Sequence, residues 1–187
     1  MAEFIQKHKL FSFYSTLMLL VVLIAIFAPW LAPGDAFSSN LSQALQAPSS
    51  QHWFGTDKLG RDVLSRIIYG TQLSLFMGVS IVVIMVSIGT IIGAVAGYFG
   101  GKIEMVLMRL ADIMLSFPGV VLAIAIAGIL GGSIVNTIIA LSVVGWAKYA
   151  RLVRSMTLKV RGEEYVTAAV MMGASTTTIL RRHIIPN

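Results

Sequence analysis

Residues 11–31 form an uncharged, strongly apolar run of 21 residues, FSFYSTLMLLVVLIAIFAPWL. As an α-helix rising about 1.5 Å per residue, this run would extend roughly 31 Å, about the thickness of the hydrocarbon core of a bilayer. A second run, residues 73–99, is long enough to cross a membrane with some tilt. Because lipid offers no hydrogen bonds to the backbone, such runs fold as helices. The sequence therefore predicts an all-α, polytopic membrane protein.

The composition agrees with this fold class. Of the 187 residues, 57% are hydrophobic and only 12% are charged, whereas soluble domains carry about a quarter charged residues. The chain has no cysteine, which excludes disulfide frameworks and cysteine-based metal sites. A net charge of +6 would also suit a nucleic-acid binder, but cationic loops on the cytoplasmic side of a membrane account for it better. We expect membrane lipid as a partner, no nucleic acid, and no soluble-enzyme activity.

Four apolar runs predict about four transmembrane helices. Residues 1–10 would form a cytoplasmic N-terminus, 11–31 transmembrane helix 1, and 32–72 an extracytoplasmic loop with a short helix near Asp62–Tyr69. A cleavable signal peptide would also begin with positive charge and an apolar run, but this run is long and lacks a small-x-small cleavage site. Residues 73–187 would hold three further membrane helices. The last two runs are short, and we expect them to form a hairpin that turns at residues 131–133.

The second run carries glycines at every fourth position: Gly89, Gly93 and Gly97. This spacing would let another helix approach closely, although glycine is also ordinary filler in membrane helices. The segment that follows, residues 100–119, is interrupted by charged side chains and should lie at the membrane interface rather than span it. Within that segment Arg109 and Asp112 are three residues apart, which favours a local ion pair on one helix.

The distribution of basic residues predicts the orientation. With a cytoplasmic start, 11 of the 14 Lys and Arg residues lie inside, against 3 in the outer loop. Positive charge is retained on the cytoplasmic side, so the N-terminus and residues 148–187 should face the cytoplasm.

The last stretch, residues 163–187, is too polar to cross a bilayer yet rich in Ala, Met and Ile. Tyr165, Ala168, Ala169 and Met172 follow the i, i+3, i+4, i+7 spacing of one helical face. Gly173 should interrupt this helix, and Ser175 is a candidate N-cap for the next one. Two interpretations remain open: a docking surface for a soluble partner, or a helix lying on lipid headgroups through Arg181 and Arg182.

This stretch resembles the EAA loop of ABC-importer permeases, in which Glu-Ala-Ala, three residues, Gly, nine residues, Ile, one residue and Leu-Pro follow in order. Ala168, Ala169, Gly173 and Pro186 match at that spacing, whereas Thr167 replaces the Glu, His183 the Ile and Ile185 the Leu. Three further segments are similar to the peptide and nickel branch: HWFGTDKLGRDVLSR (His52–Arg66), MRLADIMLSFP (Met108–Pro118) and WAKYARLVRS (Trp146–Ser155). On these motifs the chain resembles the C-type permease subunit of the dipeptide, oligopeptide and nickel importer family.

The resemblance implies a type I ABC-importer permease core in a bacterial cytoplasmic (inner) membrane. It implies three kinds of partner: a homologous second permease, two ABC ATPase subunits and an extracytoplasmic substrate-binding protein. Residues 156–187 would be the coupling loop. The residues implied to dock on an ATPase subunit are Glu164, Tyr165, Ala168, Ala169, Gly173, Ala174 and Pro186. The solute would be a peptide or a nickel species, and the resemblance assigns no substrate-binding residue.

The sequence contains no Gly-x-x-x-x-Gly-Lys-Ser/Thr loop to cradle phosphates, so we expect no ATP site and no cofactor in this chain. ATP would be hydrolysed by the partner subunits, and no catalytic constellation is present. His52, Asp57 and Asp62 suggest metal ligands, but their irregular spacing and the neighbouring Lys58 and Arg61 favour a capped turn with an Asp–Arg pair. The methionines of the apolar runs are expected to pack rather than bind metal.

The resemblance also implies two more membrane helices beyond Asn187, so the chain would be a fragment or a naturally shortened product. Two other functions are compatible with the composition. A secondary transporter would normally place ionisable residues within its spans, and the four apolar runs contain none. The second alternative is a membrane scaffold that recruits a cytoplasmic partner and transports no solute.

Overall fold

A computed structural model describes residues 9–186. Its regular structure in that range is helical, with one isolated antiparallel bridge between Thr56 and Asp62. The helices are α1 (Lys9–Ile26), α2 (Ala28–Leu31), α3 (Val63–Phe99), α4 (Gly101–Ser116), α5 (Gly119–Leu130), α6 (Ile134–Arg161), α7 (Glu164–Met171) and α8 (Thr176–Ile179). A 3-10 turn covers Leu41–Gln43 and a π-helical turn covers Leu180–Ile184. The predicted all-α class is confirmed.

Two helices among residues 9–186 are long and apolar enough to cross a membrane. They are α1, with a mean hydropathy of 2.1, and α3, with a mean hydropathy of 2.6. A third span is possible if α4 and α5, which meet at an angle of 90°, together count as one broken span. The fourth apolar run of the sequence continues without a break into the basic segment and ends at Arg161. The structure thus supports two or three spans where the sequence predicted about four.

The chain divides into two compact units at Gly78, within α3. In the first unit, hydrogen bonds join the loop between α2 and α3 to the first turn of α3. The Gly34 amide donates to Ser65 Oγ over 3.0 Å, and the Asp62 carboxylate accepts from the Ser65 amide and hydroxyl, each over 2.7 Å. The helix predicted near Asp62–Tyr69 is present from Val63, but it is not short, since it is the beginning of the continuous 37-residue α3.

In the second unit, α6 packs against α4 and α5, and it also lies close to the glycine repeat of α3. A Cβ atom added to Gly89 would lie 2.5 Å from Tyr149 Cβ, and one added to Gly97 would lie 2.7 Å from Thr157 Cβ. Residue numbers rise together along both helices, so α3 and α6 run parallel. Only glycine lets the two backbones come this close. The predicted close approach at the glycine repeat is therefore confirmed, with α6 as the neighbour.

The predicted hairpin between the last two apolar runs is confirmed. Helix α5 ends at Leu130, and Ser133 caps α6 by accepting a hydrogen bond from the Asn136 amide over 3.1 Å. The Asn136 side chain then donates to the Leu130 carbonyl over 2.6 Å, which ties the turn to the end of α5. Small side chains dominate the buried positions of this unit, as expected for closely packed membrane helices; the buried alanines are Ala94, Ala96, Ala111, Ala123, Ala140, Ala147, Ala150 and Ala169.

Candidate functional site

The candidate site is the segment that follows α6 and consists of α7, α8 and the π-helical turn (residues 163–186), called here the terminal helical element. It begins with a tight reversal: the Gly162 amide donates to the Lys159 carbonyl and the Glu163 amide to the Val160 carbonyl, each over 3.1 Å. Glu163 is the N-cap of α7 in extended conformation, and Glu164 lies in the first turn. A carboxylate in this position interacts favourably with the helix dipole.

A small apolar core fixes the terminal helical element to the rest of the unit. Val166, Ile179 and Ile184 are at most 5% exposed and contact one another. Tyr98 at the end of α3 and Val160 at the end of α6 pack against the same cluster. Burial of each such aliphatic side chain stabilises the fold by about 1.5–3 kcal/mol. The element is therefore anchored to the ends of two parallel helices. The sequence pattern did not predict this cluster, because its apolar residues belong to separate helical segments that meet only in the fold.

The outer face of α7 is apolar and exposed. Met171 is 82% and Met172 81% exposed, and Tyr165 is about half exposed. Ala168 is exposed beside them. Scattered exposed apolar residues are ordinary, but a contiguous group on one helix is typical of an interaction surface. Tyr165, Ala168 and Met172 thus lie together on an outward face, as the helical spacing predicted.

Ala169 does not belong to this outward face. Its side chain is only 5% exposed and lies, three residues after Val166, on the inward side of α7. The prediction that it shares the face of Tyr165 is wrong, because burial of the larger Val166 determines which side of the helix turns inward. The role of Ala169 in the structure is to let α7 approach its own core closely.

A glycine terminates α7 as the sequence predicted. Gly173 has φ = +80°, its amide donates to the Val170 carbonyl over 3.0 Å, and the Ala174 amide donates to the Ala169 carbonyl over 3.1 Å. This pair of bonds is the Schellman arrangement, which favours glycine at the left-handed position. Ser175 then caps α8 by accepting from the Thr178 amide over 3.3 Å, so the predicted N-cap is also confirmed.

The π-helical turn completes the element. The Ile185 amide donates to the Leu180 carbonyl over 2.9 Å, and Ile184 points into the core while Arg181, Arg182 and Pro186 are exposed. The His183 ring lies 6.2 Å from the Tyr165 ring, centroid to centroid. Of the docking residues implied by the resemblance, Glu164, Tyr165, Ala168, Gly173 and Pro186 are exposed, Ala174 is half-buried and Ala169 is buried.

A charged groove lies between α4 and α6, with a volume of about 660 Å³. The Glu104 carboxylate accepts from Arg154 Nε over 2.7 Å and also from its Nη2, and Asp112 pairs with Arg151. The predicted local pair between Arg109 and Asp112 is wrong: Asp112 bonds across to α6, and Arg109 lines the groove without an ion pair to any residue in the range 9–186.

In the first unit, Asp57 holds the turn that the sequence predicted. Its carboxylate accepts from Arg61 Nε over 2.9 Å and from Arg66 Nη1 over 3.1 Å, and also from the amides of Leu59 and Arg61. The hydrogen bond from the Arg61 side chain is the largest influence that lowers the pKa of Asp57 to about 2. The predicted Asp–Arg turn is confirmed.

His52 and Asp62 are brought together, with 2.9 Å between Nδ1 and Oδ1. Burial raises the pKa of Asp62, but hydrogen bonds from Ser65 and His52 together lower it more, so the net direction is downward. Asp57 is paired with Arg61 and Arg66 and does not contribute to the His52–Asp62 pair. No group of three possible metal ligands occurs in the described part of the chain.

The methionines were expected to pack rather than to bind metal. The Met85 side chain lies directly across Gly145, and it borders an apolar cavity of about 520 Å³ together with Met114 and Tyr149. A flexible thioether side chain suits such an irregular space. Met105 and Met108 line the charged groove instead.

With this geometry in place, comparison with known proteins identifies the family. Residues 89–187 match the family described as binding-protein-dependent transport system inner membrane component. The chain belongs to this family. Residues 5–48 match the N-terminal transmembrane domain of oligopeptide transport permease C. The matched region of the permease family therefore includes the glycine repeat, the charged groove and the terminal helical element.

Similarity to individual permease proteins supports the assignment. The chain is 44% identical to the dipeptide transport system permease protein DppC of Alkalihalophilus pseudofirmus over 98% of its own length. It is 38% identical to the oligopeptide transport system permease protein OppC of Bacillus subtilis over 97% of its length, and 44% identical to the glutathione transport system permease protein GsiD of Escherichia coli over 90%. The chain spans 60%, 60% and 56% of these relatives, respectively.

Proposed function

We propose that this chain is a permease subunit of an ATP-driven importer that moves peptides across a bacterial inner membrane. We propose further that the outward face of α7 docks on an ATPase subunit. The observation that carries the proposal is the combination of a buried anchor, Val166, with an exposed apolar face that ends in Met171 and Met172. A helix whose buried side is fixed to a core and whose exposed side is apolar is suited to bind another protein surface.

The way in which the terminal helical element is anchored suggests how movement would be transmitted. The ends of α3 and α6 both contact its core through Tyr98 and Val160. Because these two helices are parallel and touch along the glycine repeat, a displacement of α7 would move them together as one body. Rigid movement of helices is a common form of conformational switching. Such a movement changes the affinity for the solute only if the solute binds the two conformations of the permease differently.

Peptides are the solute class that the relatives favour. Their names refer to dipeptides, oligopeptides and glutathione, and none of these three names refers to nickel. We therefore place peptides ahead of nickel species, the other class compatible with the sequence motifs. The proposed partners are a homologous second permease, two ABC ATPase subunits that hydrolyse the ATP, and an extracytoplasmic substrate-binding protein.

The charge distribution supports a cytoplasmic position for the terminal helical element. Residues from Lys148 onward carry 7 of the 14 basic residues of the chain, and cytoplasmic segments are enriched in Lys and Arg. The last turn of α6 contains Lys159 and Arg161, which complement the helix dipole there. In this orientation the N-terminus is cytoplasmic as well, and the loop around Asp57 faces outward.

The docking proposal is tested by co-purification. The tagged chain is co-expressed with the second permease and the ATPase subunits encoded beside it, purified in mild detergent, and the retained ATPase is quantified. The variant Met171→Arg/Met172→Arg should lower ATPase retention by about tenfold or more, since two apolar contacts are replaced by charge. The matched control is Met156→Arg, which makes the same substitution at a methionine that is 52% exposed on α6.

Two outcomes would contradict the docking surface. One is full retention of the ATPase by the double variant. The other is an equal loss in Met156→Arg, which would indicate a general effect of added charge. The transport function itself is tested in vesicles with the complete set of subunits, by uptake of a labelled dipeptide with and without ATP. Uptake that continues at the same rate without ATP would favour a secondary transporter instead.

A further inference from the structure

Thr177, Thr178, Arg181 and Arg182 line a pocket of about 360 Å³ on the terminal helical element. We propose that this pocket binds the phosphate group of an anionic lipid headgroup. The proposal concerns a different part of the element from the outward face of α7, and it does not depend on docking to an ATPase.

The side chains of the pocket have the chemistry of a phosphate site. Two guanidinium groups supply charge and several N–H donors, in the planar geometry that matches phosphate oxygens. The Thr177 hydroxyl adds a neutral donor, and the Thr178 hydroxyl adds another when it accepts, rather than donates, the hydrogen bond with Ser175. The spacing Thr177–Arg181 and Thr178–Arg182 is four residues in each case, so each hydroxyl has a guanidinium on the same side one turn later.

The charge of this pocket is not neutralised within the described chain. Arg61 and Arg66 share Asp57, Arg151 pairs with Asp112, and Arg154 pairs with Glu104. Among residues 9–186, neither Arg181 nor Arg182 forms an ion pair, and no carboxylate lines the pocket. Two adjacent guanidinium groups without a counter-ion favour an anionic ligand.

The position of the pocket favours a lipid as the source of the anion. The residues on either side of the two arginines, Ile179 and Ile184, belong to the core cluster that Tyr98 contacts at the end of α3. Tyrosine at the end of an apolar span lies at the level of the headgroups. The exposed Ile185 and Pro186 directly follow this turn in the chain, and they supply apolar residues next in sequence to the arginines, as a lipid ligand would require.

The core cluster also fixes the backbone of the pocket. Ile179 and Ile184 are 1% and 5% exposed, and Ser175 caps the helix on which the threonines lie, with 2.9 Å between its hydroxyl and that of Thr178. The backbone of the pocket is thus fixed before an anion binds, which lowers the entropic cost of binding.

The test is native mass spectrometry of the purified chain after incubation with equal amounts of phosphatidylglycerol and phosphatidylcholine of matched acyl chains. We expect preferential retention of phosphatidylglycerol, and a decrease of about 25-fold in Arg181→Gln/Arg182→Gln, since each basic contact to an anionic headgroup contributes about fivefold and the variant removes two. The control Lys102→Gln/Lys159→Gln removes the same charge from two exposed positions outside the pocket and should retain most of the preference.

Two further variants separate phosphate recognition from general electrostatics. Arg181→Lys/Arg182→Lys keeps the charge but lacks the forked geometry, and Thr177→Val/Thr178→Val keeps both arginines. Each should reduce the preference for phosphatidylglycerol by about threefold or more, because each removes hydrogen bonds to the phosphate. Helical content measured by circular dichroism shows whether a variant has folded.

Several results would overturn the proposal. Equal retention of the two lipids, or an equal decrease in the Lys102→Gln/Lys159→Gln control, would show that no specific site exists. Displacement of phosphatidylglycerol by inorganic phosphate, together with binding of inorganic phosphate in the absence of lipid, would assign the pocket to a free phosphate. If Arg181→Gln/Arg182→Gln keeps its lipid but no longer retains the ATPase, the arginines serve the partner protein instead.

Discussion

Gly97 on α3 lies against the side chain of Thr157 on α6, so closely that a Cβ atom on the glycine would be 2.7 Å from Thr157 Cβ. The same relationship recurs one helical turn earlier at Gly93 with Val153, and two turns earlier at Gly89 with Tyr149. The two helices are therefore in near backbone contact over two turns, and they end beside each other where the terminal helical element begins. This contact is the structural basis for treating α3 and α6 as one body.

The first prediction concerns Gly93. A Cβ atom there would clash with the Ala150 carbonyl oxygen and lie 2.9 Å from the Arg154 backbone nitrogen. Backbone atoms cannot rotate away, so Gly93→Ala must separate the helices. We expect the free energy of unfolding to fall by about 1 kcal/mol or more, even after the gain in helix propensity. Thermal denaturation of the purified chain in detergent, followed by circular dichroism, measures this.

Gly78→Ala is the control on the same helix, since nothing lies within 4 Å of a Cβ atom at that position. It should be neutral or stabilise by up to about 1 kcal/mol. A Gly93→Ala variant as stable as Gly78→Ala would show that α3 and α6 are not in backbone contact.

The second prediction compares the two ion pairs between α4 and α6. Glu104 and Arg154 are 21% and 36% exposed, whereas Asp112 and Arg151 are about half exposed. Solvent screens the more exposed pair more strongly. Double-mutant cycles with glutamine and asparagine should give a coupling energy of about 1 kcal/mol for Glu104–Arg154 and about half that or less for Asp112–Arg151.

Added salt provides the check on this comparison. Both coupling energies should decrease with ionic strength, and the Asp112–Arg151 energy should approach zero first. The reverse order of the two energies would mean that exposure does not control the strength of these pairs. The Arg109→Gln variant is the reference, because this arginine lines the same groove but forms no ion pair within residues 9–186.

The sequence predicted features that depend on local spacing or on local backbone chemistry. The glycine repeat predicted a close helix contact, Gly173 a helix end, and Ser175 a cap, and the structure contains all three. Each of these depends on residues within a few positions of one another, or on the absence of a side chain. The apolar runs likewise indicated helices, because backbone hydrogen bonds must be satisfied within lipid.

Features that depend on distant residues were not predictable from one sequence. Asp112 pairs with a residue 39 positions away, whereas the local spacing favoured Arg109. Ala169 was assigned to the outward face because spacing alone does not say which side of a helix is buried. Val166 packs against Ile179 and Ile184, so its side of α7 is the buried one. A contact between separate helical segments cannot be predicted from the periodicity of one helix.

The third prediction concerns pH and the Asp57 turn. The hydrogen bond from the Arg61 side chain is the largest influence, and with those from the Arg61 and Leu59 amides it lowers the pKa of Asp57 from its ordinary value of 3.8 to about 2. A carboxylate with a depressed pKa in the folded state stabilises the fold at any pH above its ordinary value, and this stabilisation is lost as the pH falls toward the lowered value. The turn should therefore be equally stable from neutral pH down to about 4 and weaken between about 4 and 2.

Amide hydrogen exchange measures this weakening. The amides of Leu59 and Arg61 donate to the Asp57 carboxylate, so their protection, corrected for intrinsic exchange, should fall in that pH window. In Asp57→Asn the protection should be low throughout and should not change between the two values. Asp35→Asn is the control, since Asp35 accepts from the Phe37 amide elsewhere in the loop. Unchanged Leu59 protection in Asp57→Asn would contradict the assignment.

The last prediction separates the backbone role of Gly173 from any role in docking. Gly173 has φ = +80°, and nothing lies within 4 Å of a Cβ atom built on it. Substitution therefore costs only backbone strain, about 1–2 kcal/mol for an ordinary residue and more for a β-branched one. Asparagine tolerates the left-handed conformation better than other side chains. We expect Gly173→Val to lose hydrogen-exchange protection at the Ala174 amide, which donates to the Ala169 carbonyl, and Gly173→Asn to keep most of it.

The same pair of variants shows whether docking follows the fold of the terminal helical element. If the helix end matters only because it positions Met171 and Met172, ATPase retention should be nearly normal in Gly173→Asn and low in Gly173→Val. Loss of the ATPase in Gly173→Asn with the Ala174 amide still protected would instead place Gly173 itself in the contact, because its open surroundings leave room for a partner surface to approach the bare backbone.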